Sequence, residues 1–388
     1  MEPRHSRRRS GPRQHDSRKA IPGLGAPGLR PAACRRLLGA VPTLPVRRPR
    51  HFASDNNSGV CPEAWAALQE VNSGHLAGYG DDPWTARACD LIREFFETPC
   101  EVFFVFNGTA ANALALATLC RPYHAVLCHE HAHIRHDECG APAFFGGGTS
   151  LHTIAGEHGK LRPREIDAAV RDHFPLHSSK PGALSLTQTT ECGTVYRPRE
   201  IQALSAVAHR HGLRVHLDGA RFANAVASLG VAPADLSWRA GVDILSLGLT
   251  KNGGLHAEAI VVFDRELARD VDYRIKQAGQ LASKMRFLAA SWIGLLGTGA
   301  WLTHARHANT MARKLATALQ PLKGARLLHP TQANGVFIDL PPRVIQGLHR
   351  RGWHFYVFEG ETGCRLMCSW DTTESDIEAL VADARTLS

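Results

Sequence analysis

The chain has 388 residues, 44% of them hydrophobic, and a formal net charge of +9. A chain of this size and composition can bury a large core, which excludes disorder throughout and leaves room for one large domain and a smaller one. No uncharged apolar run approaches the roughly 18 to 20 residues that a membrane-spanning helix requires. We therefore expect a soluble protein without a membrane partner.

The positive charge is concentrated at the N-terminus. Residues 1–50 contain thirteen lysine and arginine residues and two acidic residues, whereas the remainder contains 32 basic and 34 acidic residues. Because this segment is rich in proline and glycine and has no hydrophobic periodicity, we predict that residues 1–51 form a disordered basic extension. A transit peptide is a competing interpretation, although the many prolines disfavour the amphipathic helix that it requires.

The rest of the chain is nearly neutral in charge and has no basic motif interleaved with aromatic residues. Such a body is typical of an enzyme of small metabolites, so we expect no nucleic-acid partner. Binding of nucleic acid through the basic extension is the alternative. The ten cysteines are too few for a disulfide scaffold and form no CxxC pair, which favours a reducing, cytoplasmic location.

Short apolar runs alternate with longer helical stretches from residue 52 onward. This alternation predicts an α/β fold with a mostly parallel sheet and crossover helices. The predicted strands of this sheet span residues 102–106, 125–128, 183–186, 214–217, 244–247 and 259–263. The helices between them include residues 110–119 and residues 199–209, and the second is opened by Pro198 and closed by Gly212.

The pattern changes near residue 300. A long helix is predicted over residues 300–319, followed by strand-like segments at 336–340 and 354–358, the segment CRLMCSW and a final acidic helix. We therefore predict a large domain over residues 52–299 and a smaller α+β domain over residues 300–388.

A lysine and an aspartate follow two neighbouring predicted strands. Lys251 lies in SLGLTKNGG, and a lysine amine in a partly desolvated pocket loses proton affinity and becomes a nucleophile. A single lysine after a strand is usually a solvated loop residue. Asp218 ends RVHLD and places a carboxylate at the carboxyl edge of the sheet, where such folds bind ligands. Its alternative role is to cap the turn before Gly219.

A third feature is the run from the strand VFFVF into the helix NGTAAN. Gly108 and Thr109 offer backbone N–H groups at the positive end of that helix, which suits a phosphate group. A lysine amine, a carboxylate partner for a ring nitrogen and a phosphate cradle are what a pyridoxal phosphate enzyme requires from its protein. We therefore predict pyridoxal 5'-phosphate as the cofactor.

Several segments together resemble the low-specificity L-threonine aldolases. They are SDNNSG (54–59), YGDDP (79–83), NGTAAN (107–112), AHI (132–134), HLDGARFANA (216–225) and GLTKNG (248–253). The resemblance runs from about residue 52 to the C-terminus. It implies a fold-type I pyridoxal phosphate enzyme of the β-eliminating lyase and threonine aldolase family, with a transferase-like large domain. It also implies a homotetramer with active sites at dimer interfaces.

Carried over residue by residue, the resemblance implies that Lys251 holds pyridoxal phosphate as a Schiff base and that Asp218 pairs with the ring nitrogen. Gly108 and Thr109 are then phosphate ligands. His133 matches the histidine that stacks on the cofactor ring and is also a candidate catalytic residue.

Further residues match the substrate site. Arg221 and Arg365 match two arginines that bind the substrate carboxylate, with Ser54 beside them, and we also place Arg221 among the cofactor ligands. Arg286, in SKMRF, matches an arginine that reaches the phosphate, and an exposed helix position is the equal alternative. His177 matches a second active-site histidine across a gap, because SLTQTTECGTVY replaces the family segment SLENTHNGKV.

The implied reaction is the cleavage of L-threonine, L-allo-threonine and related β-hydroxy amino acids to glycine and an aldehyde, which makes the chain an aldehyde-lyase. The base for the β-hydroxyl proton is His133, His177 or a bound water. A pyridoxal phosphate-dependent β-eliminating lyase and a phenylserine-type aldolase are the alternatives. A relative that binds the cofactor without turnover is disfavoured by the intact set of lysine, aspartate and two arginines.

The histidine-rich run HAVLCHEHAHIRHDE has a second interpretation. His129, His131 and His133 alternate, and three imidazoles on one side of an extended segment can bind zinc. The chain has no HExxH motif, however, and the resemblance gives His133 a role that needs no metal, so we expect none. Glu138, in the same run, is expected near the cofactor, with a surface salt bridge as its alternative.

Overall fold

The structure, a computed structural model, describes residues 50–172 and 175–388. The predicted basic extension therefore lies outside the described residues, except for its last two. Those two residues form a short strand that pairs in parallel with residues 353–354. The described residues all belong to one compact unit.

Thirteen strands and thirteen α-helices occur in this part of the chain. The strands are β1 (Arg50–His51), β2 (Glu101–Val105), β3 (His124–His129), β4 (Ser150–Ile154), β5 (Lys180–Thr187), β6 (Arg214–Gly219), β7 (Ile244–Leu247), β8 (Glu258–Val262), β9 (Arg326–Leu327), β10 (Gly335–Asp339), β11 (Trp353–His354), β12 (Tyr356–Glu359) and β13 (Gly363–Met367). The helices are α1 (Pro62–Val71), α2 (Pro83–Phe96), α3 (Gly108–Leu119), α4 (His133–His136), α5 (Ala141–Phe145), α6 (Pro163–Arg171), α7 (Pro198–Arg210), α8 (Phe222–Leu229), α9 (Val271–Gln277), α10 (Arg286–Thr298), α11 (Ala300–Leu319), α12 (Pro342–Arg350) and α13 (Glu374–Leu387).

The main sheet has seven strands in the order β2-β8-β7-β6-β5-β3-β4. The pairs of β3, β4, β5, β6 and β7 are all parallel, and β8 is antiparallel to both β7 and β2. The predicted mostly parallel sheet is therefore confirmed. Because β8 runs in reverse, its first residue, Glu258, lies at the same edge as the carboxyl ends of the parallel strands.

The six predicted strands occur within three residues of their predicted bounds, but two details differ. Strand β4 was not predicted, because the segment SLHTI has no apolar run and its His152 and Thr153 are exposed. The predicted strand over residues 354–358 is interrupted at Phe355, and its two parts belong to different sheets. Periodicity does not reveal such an interruption because both parts keep extended backbone.

A second apolar core lies in the C-terminal part of the chain. It joins α11, α12 and α13 to the four-stranded sheet with the order β12-β13-β10-β9. Phe52 also belongs to this core, so the first residues after β1 pack with the C-terminal elements. We retain a division near residue 300 as a proposal.

Helix α3 is apolar on nearly all sides because it is buried on nearly all sides. Residues 110–117 are all buried, and the helix packs between the main sheet and α5. Asn112 is the one polar side chain within this buried run. No helix in the described residues combines the length and the apolarity that crossing a membrane requires.

Two glycines of α10 provide a test of this packing. A methyl group at Gly294 would meet the backbone of Glu63 in α1, whose carbonyl carbon would lie 2.8 Å away, whereas nothing lies within 4 Å at Gly297. We expect Gly294→Ala to lower the free energy of unfolding by about 1–3 kcal/mol through overpacking. Gly297→Ala should raise it by about 0.5–1 kcal/mol through helix propensity.

Chemical denaturation of both variants measures the difference. Equal effects of the two substitutions on the free energy of unfolding would contradict the close packing of α1 against α10.

Candidate active site

A cavity of about 410 Å³ lies at the carboxyl edge of the main sheet. Five of the predicted site residues line it together: Gly108, Thr109, His133, Asp218 and Lys251. They come from the ends of four strands, because β2, β3, β6 and β7 all finish at this edge. Ligands of open α/β sheets bind at this position.

Lys251 lies in a 3₁₀ turn, Thr250–Asn252, shortly after β7. The turn is fixed by Asn252, whose Nδ2 donates to the carbonyl of Trp301 at 2.7 Å. It ends at Gly253, where φ is +98° and an added Cβ would lie 2.9 Å from the Cβ of Cys61. Within residues 50–172 and 175–388, the Nζ of Lys251 has no hydrogen-bond or ion-pair partner. The amine is thus held at the cavity and left available.

The N-terminus of α3 also opens into this cavity. Asn107 caps the helix, and its side chain accepts a hydrogen bond from the N–H of Ala110 at 2.9 Å. The amides of Gly108 and Thr109 have no partner in the described part of the chain. Two unpaired N–H groups at the positive end of a helix of 12 residues form an anion site.

A chain of hydrogen bonds connects Asp218 to His133. The Nδ2 of Asn112 donates to Asp218 Oδ2 at 2.9 Å and to Glu138 Oε1 at 2.8 Å. The Nδ1 of His133 donates to the same Glu138 oxygen at 2.8 Å. Asn112, Glu138 and Asp218 are buried, so the two carboxylates and the imidazole hold one another in fixed positions.

Burial and neighbouring charges shift the pKa values of two groups in this chain of hydrogen bonds, Glu138 and His133. Burial and the charge of Asp218 raise the pKa of Glu138, although its bonds to His133 and Asn112 oppose the shift. Burial by itself would lower the pKa of His133, but the bond to Glu138 and the charges of Asp218 and Glu191 raise it. The imidazole is therefore stabilised in its protonated form beside the cavity.

The residues around the cavity fit pyridoxal phosphate. Lys251 supplies an available amine, Asp218 a buried carboxylate, and α3 an anion site. A buried polar atom that lacks a hydrogen-bond partner among the described residues also occurs here, namely Asn112 Oδ1. A buried polar atom without a hydrogen-bond partner destabilises the folded state. A polar ligand in this cavity would offset that loss by supplying the missing hydrogen bond.

Arg221 does not lie free at the site. Its Nε and Nη2 donate to the two carboxylate oxygens of Asp55 at 2.7 and 2.9 Å, and Asn334 Nδ2 donates to the same carboxylate at 3.0 Å. Burial would raise the pKa of Asp55, but the charge and hydrogen bonds of Arg221 lower it. The same pairing raises the pKa of Arg221 against the effect of burial. Two of the donor nitrogens of this guanidinium are thus occupied by Asp55.

Of the two arginines predicted to bind the substrate, Arg365 has no ion pair among the described residues. It lines a small second cavity together with Arg221 and Glu191. Its guanidinium lies over the rings of Tyr356 and Phe358, at 5.3 and 5.1 Å from their centroids, and its buried Nε has no hydrogen-bond partner in the described ranges. Burial, and then the charge of Arg221, lower its pKa. An anionic ligand would relieve both effects.

Ser54 and Arg286 also lie outside the lining of the main cavity. Ser54 caps the turn Asp55–Asn57 and accepts from the N–H of Asn56 at 3.2 Å, next to the Asp55 carboxylate. Arg286 begins α10, where its Nη2 donates to the carbonyl of Gly74 at 3.4 Å. It does not line the cavity around Lys251.

His177 is the clearest departure from the prediction. It is exposed and precedes β5, whereas the cavity lies beyond the other end of that strand. A parallel strand separates its two ends by its whole length, so a residue before β5 cannot reach the carboxyl edge. We therefore discard His177 as the base of its own chain's site.

The three alternating histidines have separate environments. The Nε2 of His129 lies 2.9 Å from the carbonyl of Gly156, and its Nδ1 accepts from the N–H of His131 at 3.0 Å. His133 is bound to Glu138. The rings of His129 and His133 are thus bound to different protein groups, and His131 contributes its backbone N–H.

Three buried residues of the site were not singled out from the sequence. Asn112 could have been recognised as the one amide in an otherwise apolar helix. Asp55, in SDNNSG, carried no such signal, because its partner Arg221 is remote in sequence. Glu258 starts β8, accepts a hydrogen bond from the N–H of Leu249 at 2.6 Å and has a pKa raised by burial. Only the reversal of β8 brings it to Lys251.

Comparison with known proteins provides independent evidence of the family to which the chain belongs. Residues 51–341 match the model of the β-eliminating lyase family. A low-specificity L-threonine aldolase from a Pseudomonas species is 54% identical over 336 residues, which cover 87% of this chain and 97% of that protein. The Pseudomonas aeruginosa protein of the same name is 56% identical over the same shares.

Solved structures agree with these relatives. A Leishmania major threonine aldolase superimposes with a TM-score of 0.82 at 31% identity, over 87% of this chain and 99% of that one. A tryptophan decarboxylase from Catharanthus roseus has a TM-score of 0.70 at 15% identity, over 87% and 83% of the two chains, which shows a shared fold only. The predicted fold class, a fold-type I α/β enzyme, is confirmed.

The buried pair of Asp55 and Arg221 yields a prediction. Asp55→Asn leaves a buried guanidinium without a charged partner, which should lower the free energy of unfolding by about 3–5 kcal/mol at neutral pH. Because the pKa of Asp55 is lowered in the folded state, its contribution exists at neutral pH and is lost as the pH falls through that lowered pKa. The difference between the two proteins should therefore shrink in acid.

Urea denaturation across pH measures this difference. The matched control is Asp235→Asn, which removes an exposed partner of Arg239 in an i,i+4 pair and should have a much smaller effect. Equal losses in both variants would contradict the structural importance of the Asp55 pair.

Proposed function

The chain belongs to the β-eliminating lyase family, and we propose that within it the chain is a pyridoxal phosphate-dependent low-specificity L-threonine aldolase. It is a carbon–carbon lyase that cleaves L-threonine, L-allo-threonine and related β-hydroxy amino acids to glycine and an aldehyde. The resemblance noted in the sequence motifs is confirmed by the Pseudomonas relatives. The observation that carries the proposal is the meeting of Lys251, Asp218 and the free α3 amides in one cavity.

Each residue that was predicted from the sequence and lines the cavity has a proposed role. Lys251 binds the cofactor covalently through Nζ, and Gly108 and Thr109 bind its phosphate. Pyridoxal phosphate, when bound, supplies an electron sink for the electrons of the Cα–Cβ bond. Asp218 stabilises positive charge on the ring nitrogen, and Asn112 holds its carboxylate in place. His133 would stack on the ring, and its imidazole is oriented by Glu138.

The arginines orient the substrate. Arg365 binds the carboxylate of the amino acid, because this half-buried side chain has no ion pair and its buried Nε no hydrogen-bond partner in the described part of the chain. Arg221 lies beside it and adds positive charge, while Asp55 fixes its position. The Arg286 assignment survives only as a proposal that this side chain reaches the phosphate in another subunit.

We also propose a cytoplasmic location and a homotetramer with active sites at dimer interfaces. Two exposed apolar side chains at the site support this assembly. Phe106 lines the cavity and is 38% exposed, and Leu255, beside the cavity residue His256, is also 38% exposed. A second subunit would cover both. Light scattering of the purified protein measures the assembly.

Removal of the lysine amine tests the cofactor assignment. Lys251→Ala should abolish the visible absorbance of the lysine-bound cofactor together with aldehyde release, because no other amine lines this cavity in the described residues. Lys323→Ala, which changes an exposed lysine of the C-terminal part, is the control and should retain both. Persistence of the absorbance in Lys251→Ala would reject the assignment.

The products of L-threonine distinguish the proposed reaction from its alternatives. An aldolase releases glycine and acetaldehyde in equal amounts, whereas an eliminating lyase releases ammonia and an oxo acid. We expect glycine and acetaldehyde without ammonia, measured by chromatography and an ammonia assay. Release of ammonia as the main product would replace the proposal with elimination, and a strong preference for phenylserine would narrow the substrate class.

A further inference from the structure

The turn that follows β5 departs from the family segment and is tightly fixed. The side-chain amide of Gln188 makes two hydrogen bonds with the backbone of Tyr196. Its Nε2 donates to the Tyr196 carbonyl at 2.8 Å, and its Oε1 accepts from the Tyr196 N–H at 3.0 Å. Within the turn, the N–H of Thr190 donates to Thr194 O at 2.9 Å. A residue at the tip of this turn, such as Glu191, therefore has a defined position.

Gly193 sets the turn against the C-terminal part of the chain. Its φ is +73°, and an added Cβ would lie 2.9 Å from the ring of Phe337 in β10. Strand β10 pairs with β13, which carries Arg365. The turn and the substrate arginine are thus held in one packed arrangement.

Glu191 lines the small cavity with Arg221 and Arg365. No hydrogen bond or ion pair of this carboxylate occurs within the described residues, since Arg221 is bound to Asp55. Its charge also acts on His133, whose pKa it helps to raise. Glu191 is therefore an unpaired carboxylate within electrostatic reach of both the carboxylate-binding arginines and the histidine of the main cavity.

We propose that Glu191 is the base that accepts the β-hydroxyl proton of the substrate. Glu191 shares a cavity with the arginine that is proposed to bind the substrate carboxylate, and no protein group is bound to its carboxylate in the described part of the chain. His177 lies at the other edge of the sheet. The bond to Glu138 and the charges of Asp218 and Glu191 raise the pKa of His133, which works against its acting as a base. This inference rests on the proposed aldolase activity.

The proposed step balances as follows. Glu191 removes the proton from the β-hydroxyl oxygen, and the O–H electrons form the C=O bond of the aldehyde. The Cα–Cβ bond breaks, and its electron pair stays on Cα, which is later protonated to give glycine. No oxidant or reductant is required. A positioned general base contributes to the rate of such a step.

Glu191→Gln tests the inference in the full-length enzyme with its cofactor. We expect kcat for L-threonine cleavage to fall by about 10²- to 10⁴-fold. Exchange of the glycine α-proton with deuterium, followed by NMR, should continue at the wild-type rate, because glycine has no β-hydroxyl group. The Kd of glycine measured by calorimetry should not rise, because the substitution removes negative charge beside Arg365. Glu191→Asp should retain intermediate cleavage activity.

Glu378→Gln, an exposed position in α13, is the matched control, and thermal unfolding of each variant verifies the fold. Equal cleavage by wild type and Glu191→Gln would overturn this inference alone and leave the aldolase proposal intact. Equal loss of cleavage and of glycine exchange would also overturn it, because Glu191 would then act on a step common to both. Failure of the wild type to cleave L-threonine would overturn both proposals.

Discussion

The buried ion pair of Asp55 and Arg221 joins three parts of the chain that are remote in sequence. Asp55 follows the first strand, Arg221 follows β6, and Asn334, which donates to the same carboxylate, precedes β10. A buried pair of this kind is stable only with bidentate geometry and additional hydrogen bonds. Both are present here. This contact links the end of β6 to the segment that precedes β10, the strand that pairs with the strand of Arg365.

The site concentrates negative charge in a buried place. Asp218 and Glu258 are buried at the cavity that Lys251 lines, and Glu138 is buried and bound to Asn112 and His133. Burial raises the pKa of the two glutamates, whereas pairing with Arg221 lowers the pKa of Asp55. The cost of burial thus dominates at the two glutamates, and the charged partner dominates at Asp55.

The sequence predicts the residues at the carboxyl edge of the main sheet, but it does not predict the contacts between residues that are remote in sequence. Lys251, Asp218 and the α3 amides were predictable, because each directly follows a strand and the carboxyl ends of parallel strands meet at one edge. The commitment of Arg221 to Asp55 was not, since nothing in the local pattern of either residue names its partner. The prediction placed His177 at the wrong end of β5, because the gapped match indicated how far this residue lies from the strand but not at which end. Glu258 required the reversal of β8, which periodicity does not encode.

That reversal has a consequence for how the lysine acquires its geometry. Because β7 and β8 are neighbours both in the sheet and in the chain, the segment that carries Lys251 is a short connection between two paired antiparallel strands. Contacts of low sequence separation form faster than remote ones, because less loop-closure entropy opposes them. The two strands that flank the proposed attachment point of the cofactor therefore pair through local contacts, whereas the turn between them is completed only when the remote residues Trp301 and Cys61 reach it.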